Sequence, residues 1–235
     1  ICILWFYDET IIQCPIRGYT IKIQEIGVMI KIFGLRMSNY YSLTKALLIE
    51  KGLDFEEVKR PPSQEEDFLT LSPMGKMPAI EVNDVYLSES IAIANYLESM
   101  QPQPALLPGD AMQAAKVMEL VCHLKLDIEL VARRLLPEVL FKQPVSEETK
   151  AAVKADLTKG MKAVDRLFVG APYAAGDQVT LADFYTFYCF GLSTGMVHAI
   201  YGEDLLEGYP RIQKVLGLMA EHPSVKRVET EKSAK

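Results

Sequence analysis

The chain has few cysteines, fewer histidines and no long apolar run, and each shortage excludes a class of function. Its four cysteines, at positions 2, 14, 122 and 189, lie far apart, so no C-x-x-C dithiol, disulfide framework or metal-ligand spacing is present. That usage fits a reducing, cytoplasmic compartment. His123, His198 and His222 share no ligand spacing either, and no metal is expected. The apolar runs fall far short of the roughly 18 residues that a membrane span requires. The opening "ICILWFY" lacks the basic leader of a signal peptide, so no membrane association is expected. Lys and Arg number 25 against 31 Asp and Glu, a net charge of -6, which weighs against nucleic acid and anionic lipid as partners. A small molecule or a protein is the expected partner. With 49% hydrophobic residues among 235, the chain can bury two compact cores.

Residues 1–28 lack a clear period and read as an extension to a chain that naturally starts at Met29. The alternation of "TIKIQEI" offers a competing reading, an added edge strand. From Met29 the pattern is orderly. "IKIFG" (30–34) reads as a strand, "SNYYSLTKALLIEKG" (38–52) as a helix, and "DFEEVK" (54–59) as a second strand. "SQEEDFLTLS" (63–72) reads as a short helix with Ser63 and Glu66 forming a capping box. "MPAIEV" and "VYL", separated by the turn "ND", give a hairpin, and "SESIAIANYLESM" (88–100) a further helix. The order βαβαββα over 29–100 makes a small four-stranded mixed sheet, its first two strands parallel across a helical connection.

The proline-rich "QPQPALLPGD" (101–110) is a linker, and 111–235 carries helical patterns only. Residues 111–142 read as one long helix kinked at Pro137, followed by helices over 146–168, 180–196, 209–220 and 223–229. In "TLADF", Thr180 at the N-cap and Asp183 three residues on can satisfy the orphan amides of a buried helix start, a structural role and not a catalytic one.

"PMGKMPAIEVNDVYLSES" (73–90) sets prolines and a glycine around a strand. A proline there removes a ladder donor. Were Pro78 cis, as about 5% of X–Pro bonds are, the Met77 peptide would face solvent and could pair with an extended peptide ligand. At the next helix start, backbone amides and the Ser90 hydroxyl can hold a carboxylate, Glu89 an ammonium, and Lys76 a second carboxylate. The plainer alternative is that Ser88 caps the helix, Glu89 complements its dipole and Lys76 is a solvated surface charge.

"SPMGKMPAIEV" with "LSESIAIANYLE", set in a βαβαββα unit and followed by an all-helical domain with "TLADF", resembles the cytosolic glutathione transferases, bacterial in type, over nearly the whole chain from Met29. The resemblance implies a thioredoxin-like N-terminal domain, a helical C-terminal domain and glutathione as co-substrate. It makes Met77 the backbone partner of the cysteinyl unit, Pro78 the cis-proline, Glu89 and Ser90 the γ-glutamyl site, and Lys76 a contact to the glycyl carboxylate. A homodimer acting on small apolar electrophiles is implied as well.

A thiol with a pKa near 8.5 needs stabilisation of its anion to react at neutral pH. "GLRMSNYYSLTK" (34–45) leads into the first helix, and Ser38 stands where serine-type transferases place their activating hydroxyl; its other role is N-cap. Tyr40 and Tyr41 are alternative donors, Asn39 a thiol-orienting or capping residue, and Met37 a wall for the electrophile. Arg36 is a surface charge or a guide for anionic substrates. The "SNYY" at this helix start lacks the cysteine that disulfide exchange would need. The expected activity is conjugation of glutathione to hydrophobic electrophiles in detoxification. The alternatives are a glutathione-dependent isomerase or dehalogenase, or a non-catalytic glutathione-binding stress protein.

Overall fold

The computed structural model describes residues 11–13, 20–22 and 29–233. Strands β1 (Ile11–Gln13) and β2 (Thr20–Lys22) pair with each other in a two-stranded antiparallel sheet. Thr20–Lys22 is thus a strand, but it does not extend the larger sheet, whose order is β4-β3-β5-β6. The rest of the 1–28 extension lies outside the described residues.

That larger sheet is built from β3 (Ile30–Gly34), β4 (Phe55–Lys59), β5 (Ala79–Val82) and β6 (Val85–Ser88). β3 runs parallel to β4 because α1 (Asn39–Glu50) crosses between them, while β5 and β6 add antiparallel through the turn at Asn83 and Asp84. Ser88 does not cap the following helix. It ends β6 opposite Ala79, and α3 (Ser90–Met100) begins two residues later, with Glu89 at its N-cap.

α1 is buried continuously from Asn39 to Leu48, because it lies between the sheet and the helical domain. A helix buried on all sides needs little amphipathicity. The short α2 (Glu66–Leu69) begins later than its sequence pattern predicts. Its capping box does not form: the Ser63 hydroxyl accepts from the Glu65 amide 3.0 Å away, a local turn that competes with helix.

The helical domain opens with α4 (Ala111–His123), capped by Asp110. The expected long helix is interrupted upstream of Pro137. A π-helical turn (Leu124–Glu129) leads through α5 (Leu130–Ala132) and a 3₁₀ turn (Arg133–Leu135) into α6 (Leu136–Phe141). Pro137 sits in the first turn of α6, where a missing N–H costs nothing, so it starts a helix and does not kink one. The π turn meets α7 (Glu147–Leu167) at Gly160, where any Cβ would collide with the Asp127 carbonyl oxygen.

α8 (Leu181–Tyr201) is the domain's central helix, and α9 (Pro210–Glu221) and α10 (Pro223–Ser233) close it. The α8 start is satisfied by Asp183, fully buried, whose carboxylate accepts from the Thr180 amide (2.8 Å), the Thr180 hydroxyl (3.0 Å) and the Ala174 amide (2.7 Å). Burial raises the Asp183 pKa and these donors act against that rise. The residue anchors the preceding loop as well as the helix. Among the described residues no helix is long and apolar enough to cross a membrane.

Candidate active site

A cleft of about 250 Å³ opens between the two domains, lined by Ser38, Tyr40, Pro62, Ser72, Lys76, Met77, Pro78, Glu89, Ser90, Lys125, Leu130 and Arg133. The structure therefore brings Ser38, Tyr40, Lys76, Met77, Pro78, Glu89 and Ser90 together, residues up to 52 positions apart in sequence. Met37 and Asn39 are not among the lining residues; Met37 is 70% exposed at the adjoining surface. A larger groove of about 1070 Å³ lies beneath the interdomain linker and holds none of these residues.

Ser38 is the N-cap of α1, with extended backbone angles, and its Oγ accepts from the Tyr41 amide at 3.4 Å. Capping uses a lone pair of the hydroxyl and leaves its proton free to be donated into the cleft. The two roles that the sequence allows for Ser38 are therefore compatible. Gly34, at the end of β3, lets this turn close, since a Cβ there would stand 2.5 Å from the Tyr41 ring and 3.3 Å from Met77 Cβ.

On the opposite wall, the Met77–Pro78 bond is cis and β5 begins at Ala79. Lys76 is exposed and makes no ion pair among the described residues. Its approach is set by Gly75, whose φ of 64° favours glycine and whose missing side chain leaves room for Ser63 and Gln64. Glu89 also has a left-handed φ, 71°, which a non-glycine residue adopts at a cost in strain. Immediately after it, Ser90 is buried at the first turn of α3, where its Oγ and the neighbouring buried Tyr185 hydroxyl do not meet in good hydrogen-bond geometry and each is left without a partner in the described structure. An unpaired buried hydroxyl beside free helix amides is a place for an anionic group.

The helical domain contributes a polar network that sequence reasoning did not assemble. Glu129 is fully buried and bonds the Tyr40 hydroxyl (2.8 Å), the Asn39 side-chain amide (3.1 Å) and Arg133 Nε (2.9 Å). Arg133 also donates to Asn39 Oδ1 at 2.9 Å, and Asn39 Nδ2 reaches the Tyr188 carbonyl at 3.3 Å. Asn39 thus fastens the start of α1 to the helical domain. Burial, with Glu129 beside it, pushes the Tyr40 hydroxyl pKa far up, so Tyr40 stays a neutral hydrogen-bond donor to Glu129. Lys125 crosses from the π turn to pair with Glu89 at 2.8 Å and lies 5.4 Å from the Tyr40 ring centroid. The four-residue spacing of Lys125, Glu129 and Arg133 was the available sequence signal. His123 instead bonds Asp127 at 2.6 Å, and Arg134 pairs with Asp156 on α7 at 2.7 Å.

Arg36 is also committed elsewhere. It forms two bonds to Glu57 on β4 (2.7 and 3.2 Å) and a third to the Glu231 carbonyl on α10 (3.2 Å).

The comparisons with known proteins decide the family. The glutathione S-transferase N-terminal domain model matches residues 28–99 and the C-terminal domain model residues 135–231. A glutathione S-transferase of Pseudomonas putida is 38% identical over 206 residues, 88% of this chain and 94% of that protein. This chain belongs to the glutathione S-transferase family. Another relative, a maleylacetoacetate isomerase of Pseudomonas aeruginosa, is 27% identical, covering 82% of this chain and 94% of that one. The holo structure of a maleyl pyruvate isomerase, a bacterial glutathione S-transferase of the zeta class, superposes with a TM-score of 0.67 at 26% identity, covering 84% of this chain and 95% of that one. The expected fold, a thioredoxin-like domain joined to a helical domain, is that of this family.

Proposed function

We propose that this transferase binds glutathione in the interdomain cleft and conjugates its thiolate to small electrophiles, with Ser38 donating a hydrogen bond to sulfur. The observation that carries this reading is the pairing of two helix starts in one cleft: Ser38 caps α1 with its proton free, and the buried Ser90 hydroxyl at α3 lacks a partner. Ser90 with the α3 amides receives the γ-glutamyl carboxylate, Glu89 its ammonium, the Met77 backbone beside Pro78 the cysteinyl unit, and Lys76 the glycyl carboxylate. The sulfur then falls near α1, where the Ser38 hydroxyl and the helix dipole both favour the anion. The protein acts as a cytoplasmic homodimer, without a metal.

The isomerase alternative is favoured by one observation, the relatives and solved neighbour named for isomerisation of maleyl compounds. An isomerase adds the thiolate and later expels it, whereas conjugation retains the new C–S bond. Incubating the enzyme with glutathione and a candidate electrophile, and following free thiol and product together, separates the readings. Loss of thiol in step with product supports conjugation. Isomerised product with thiol undiminished supports the isomerase, and release of halide with thiol undiminished would mark a hydrolytic dehalogenase. Glutathione binding with no turnover on any electrophile would leave a binding protein.

A further inference from the structure

We propose that Lys125 is the specificity-determining residue of this cleft: Glu89 holds it until a ligand ammonium takes that carboxylate, and it then receives the carboxylate of an acidic electrophile. The proposal rests on the glutathione reading above and names the substrate class of the same site.

The Lys125 side chain is 11% exposed and the Glu89 carboxylate to which it is paired is 58% exposed. Glu89 is open to solvent and so to an incoming ammonium, while the largely covered Lys125 is poorly hydrated and gains when a new anion meets it. Glu89 is also the residue that the peptide ammonium would approach. When that ammonium arrives, one carboxylate must serve two cations, and Lys125 loses part of its hold.

No other acid of the described structure stands ready to replace it. Glu129, on the next turn, is already bonded by Arg133, Asn39 and Tyr40. Asp127 is held by His123. The Tyr40 ring face attracts Lys125 but supplies no charge. Arg133 shares the cleft, but its guanidinium is neutralised by the buried Glu129 behind it. With the γ-glutamyl carboxylate taken by Ser90 and the α3 amides, Lys125 is the cation on the helical wall whose charge is released by ligand binding. A carboxylate on the second substrate restores its ion pair and offsets the repulsion between that substrate and a glutathione thiolate.

The reaction to follow is thiol addition to an activated alkene. The thiolate forms a C–S bond to the alkene carbon, the π pair moves onto the conjugated carbonyl, and a proton from water completes the adduct, with no leaving group. 3-Benzoylacrylate and its methyl ester share the reacting keto-alkene and only the acid is charged, and their intrinsic difference in reactivity cancels when the acid-to-ester ratio is compared between protein variants. Rates net of the uncatalysed reaction are measured for wild type, Lys125→Gln and Lys125→Arg, together with glutathione affinity by calorimetry.

Lys125→Gln is expected to lower the acid-to-ester ratio of kcat/KM by about tenfold or more, as loss of one charge-assisted bond predicts. Lys125→Arg is expected to restore most of that ratio. Glutathione should bind Lys125→Gln more tightly than wild type, because its ammonium no longer competes for Glu89. An unchanged ratio, with equal losses on acid and ester, would overturn the proposal and assign Lys125 to the thiolate. Weaker glutathione binding in Lys125→Gln would overturn it too, by placing Lys125 in the peptide site. Failure of the wild type to bind glutathione would instead refute the underlying reading.

Discussion

Glu129→Ala should destabilise the protein by about 2–4 kcal/mol, somewhat less than removing one partner of a fully buried ion pair, because Arg133 keeps 35% of its side chain exposed. In a chain of this size that is a fall of roughly 10 °C in Tm. Glu129 is fully buried and is the shared acceptor for Arg133, Asn39 and Tyr40, groups drawn from both domains. Removing it leaves an arginine without its counter-ion and strands the Tyr40 hydroxyl, which donates to Glu129. The effect is expected to reach the cleft, since Asn39 and Tyr40 follow directly on Ser38 in the first turn of α1. Glu129→Gln keeps the shape and an acceptor but loses the charge, and should fall between wild type and alanine. Thermal and urea melts of the three proteins check the order. Equal stability of all three would mean that the network is decoration on an already rigid interface.

The second large effect centres on Glu57, which ties β4 to α1 and faces α10 through the same cations. Its carboxylate accepts from Lys45 (2.7 Å), the Tyr41 hydroxyl (2.7 Å) and Arg36 (2.7 Å). Lys45 is 2% exposed and also pairs with Glu231 on α10. Burial alone would raise the Glu57 pKa, but the hydrogen bonds from Arg36, Lys45 and Tyr41 outweigh it and hold the value at about 2. A carboxylate whose folded pKa lies below its unfolded value of 4.5 stabilises the fold above that pH and loses its contribution as pH falls toward 2. Stability should therefore decline across pH 4.5 to 2, with Glu231, whose pKa is also lowered by Lys45, adding to the decline. Glu57→Gln should destabilise the protein at pH 7 by about 2–3 kcal/mol, because it weakens the neutralisation of a buried lysine. Its acid limb should be flatter than that of wild type. In that background Lys45 still pairs with Glu231, so Lys45→Met should still destabilise, but by less than it does in wild type. Parallel acid limbs in wild type and Glu57→Gln would contradict the assignment of the low pKa to this residue.

The sequence pattern was informative wherever a local rule governed the structure. "IKIFG" forms a strand over Ile30–Gly34, and Ser38 caps the helix that begins at Asn39. "TLADF" starts α8 because Thr180 and Asp183 satisfy its amides within one turn. Local rules failed where another local bond competed, as at Ser63, whose hydroxyl is spent two residues on and leaves α2 to begin at Glu66. They failed again at 124–135, because a 3.6-residue period cannot anticipate a π turn set by contact with α7 at Gly160.

The candidate site was legible on one wall only. Lys76 to Pro78 and Glu89–Ser90 lie in a contiguous stretch whose turn chemistry points to a ligand. The other wall depends on which residues of an irregular helix face the first domain. Lys125 meets Glu89, and Glu129 meets Asn39, across 36 and 90 positions of chain. Only the docking of the two domains sets those partners.

The proposed role of the Ser38 hydroxyl is to stabilise a bound glutathione thiolate. Ultraviolet titration of the thiolate in the binary complex measures it directly, in wild type and in Ser38→Ala. A bound-thiol pKa at least about one unit below the free value near 8.5 is expected in wild type, returning most of the way in Ser38→Ala while glutathione remains bound. An equally depressed pKa in both proteins would move the activating role away from Ser38, and no depression in wild type would contradict thiolate activation at this site.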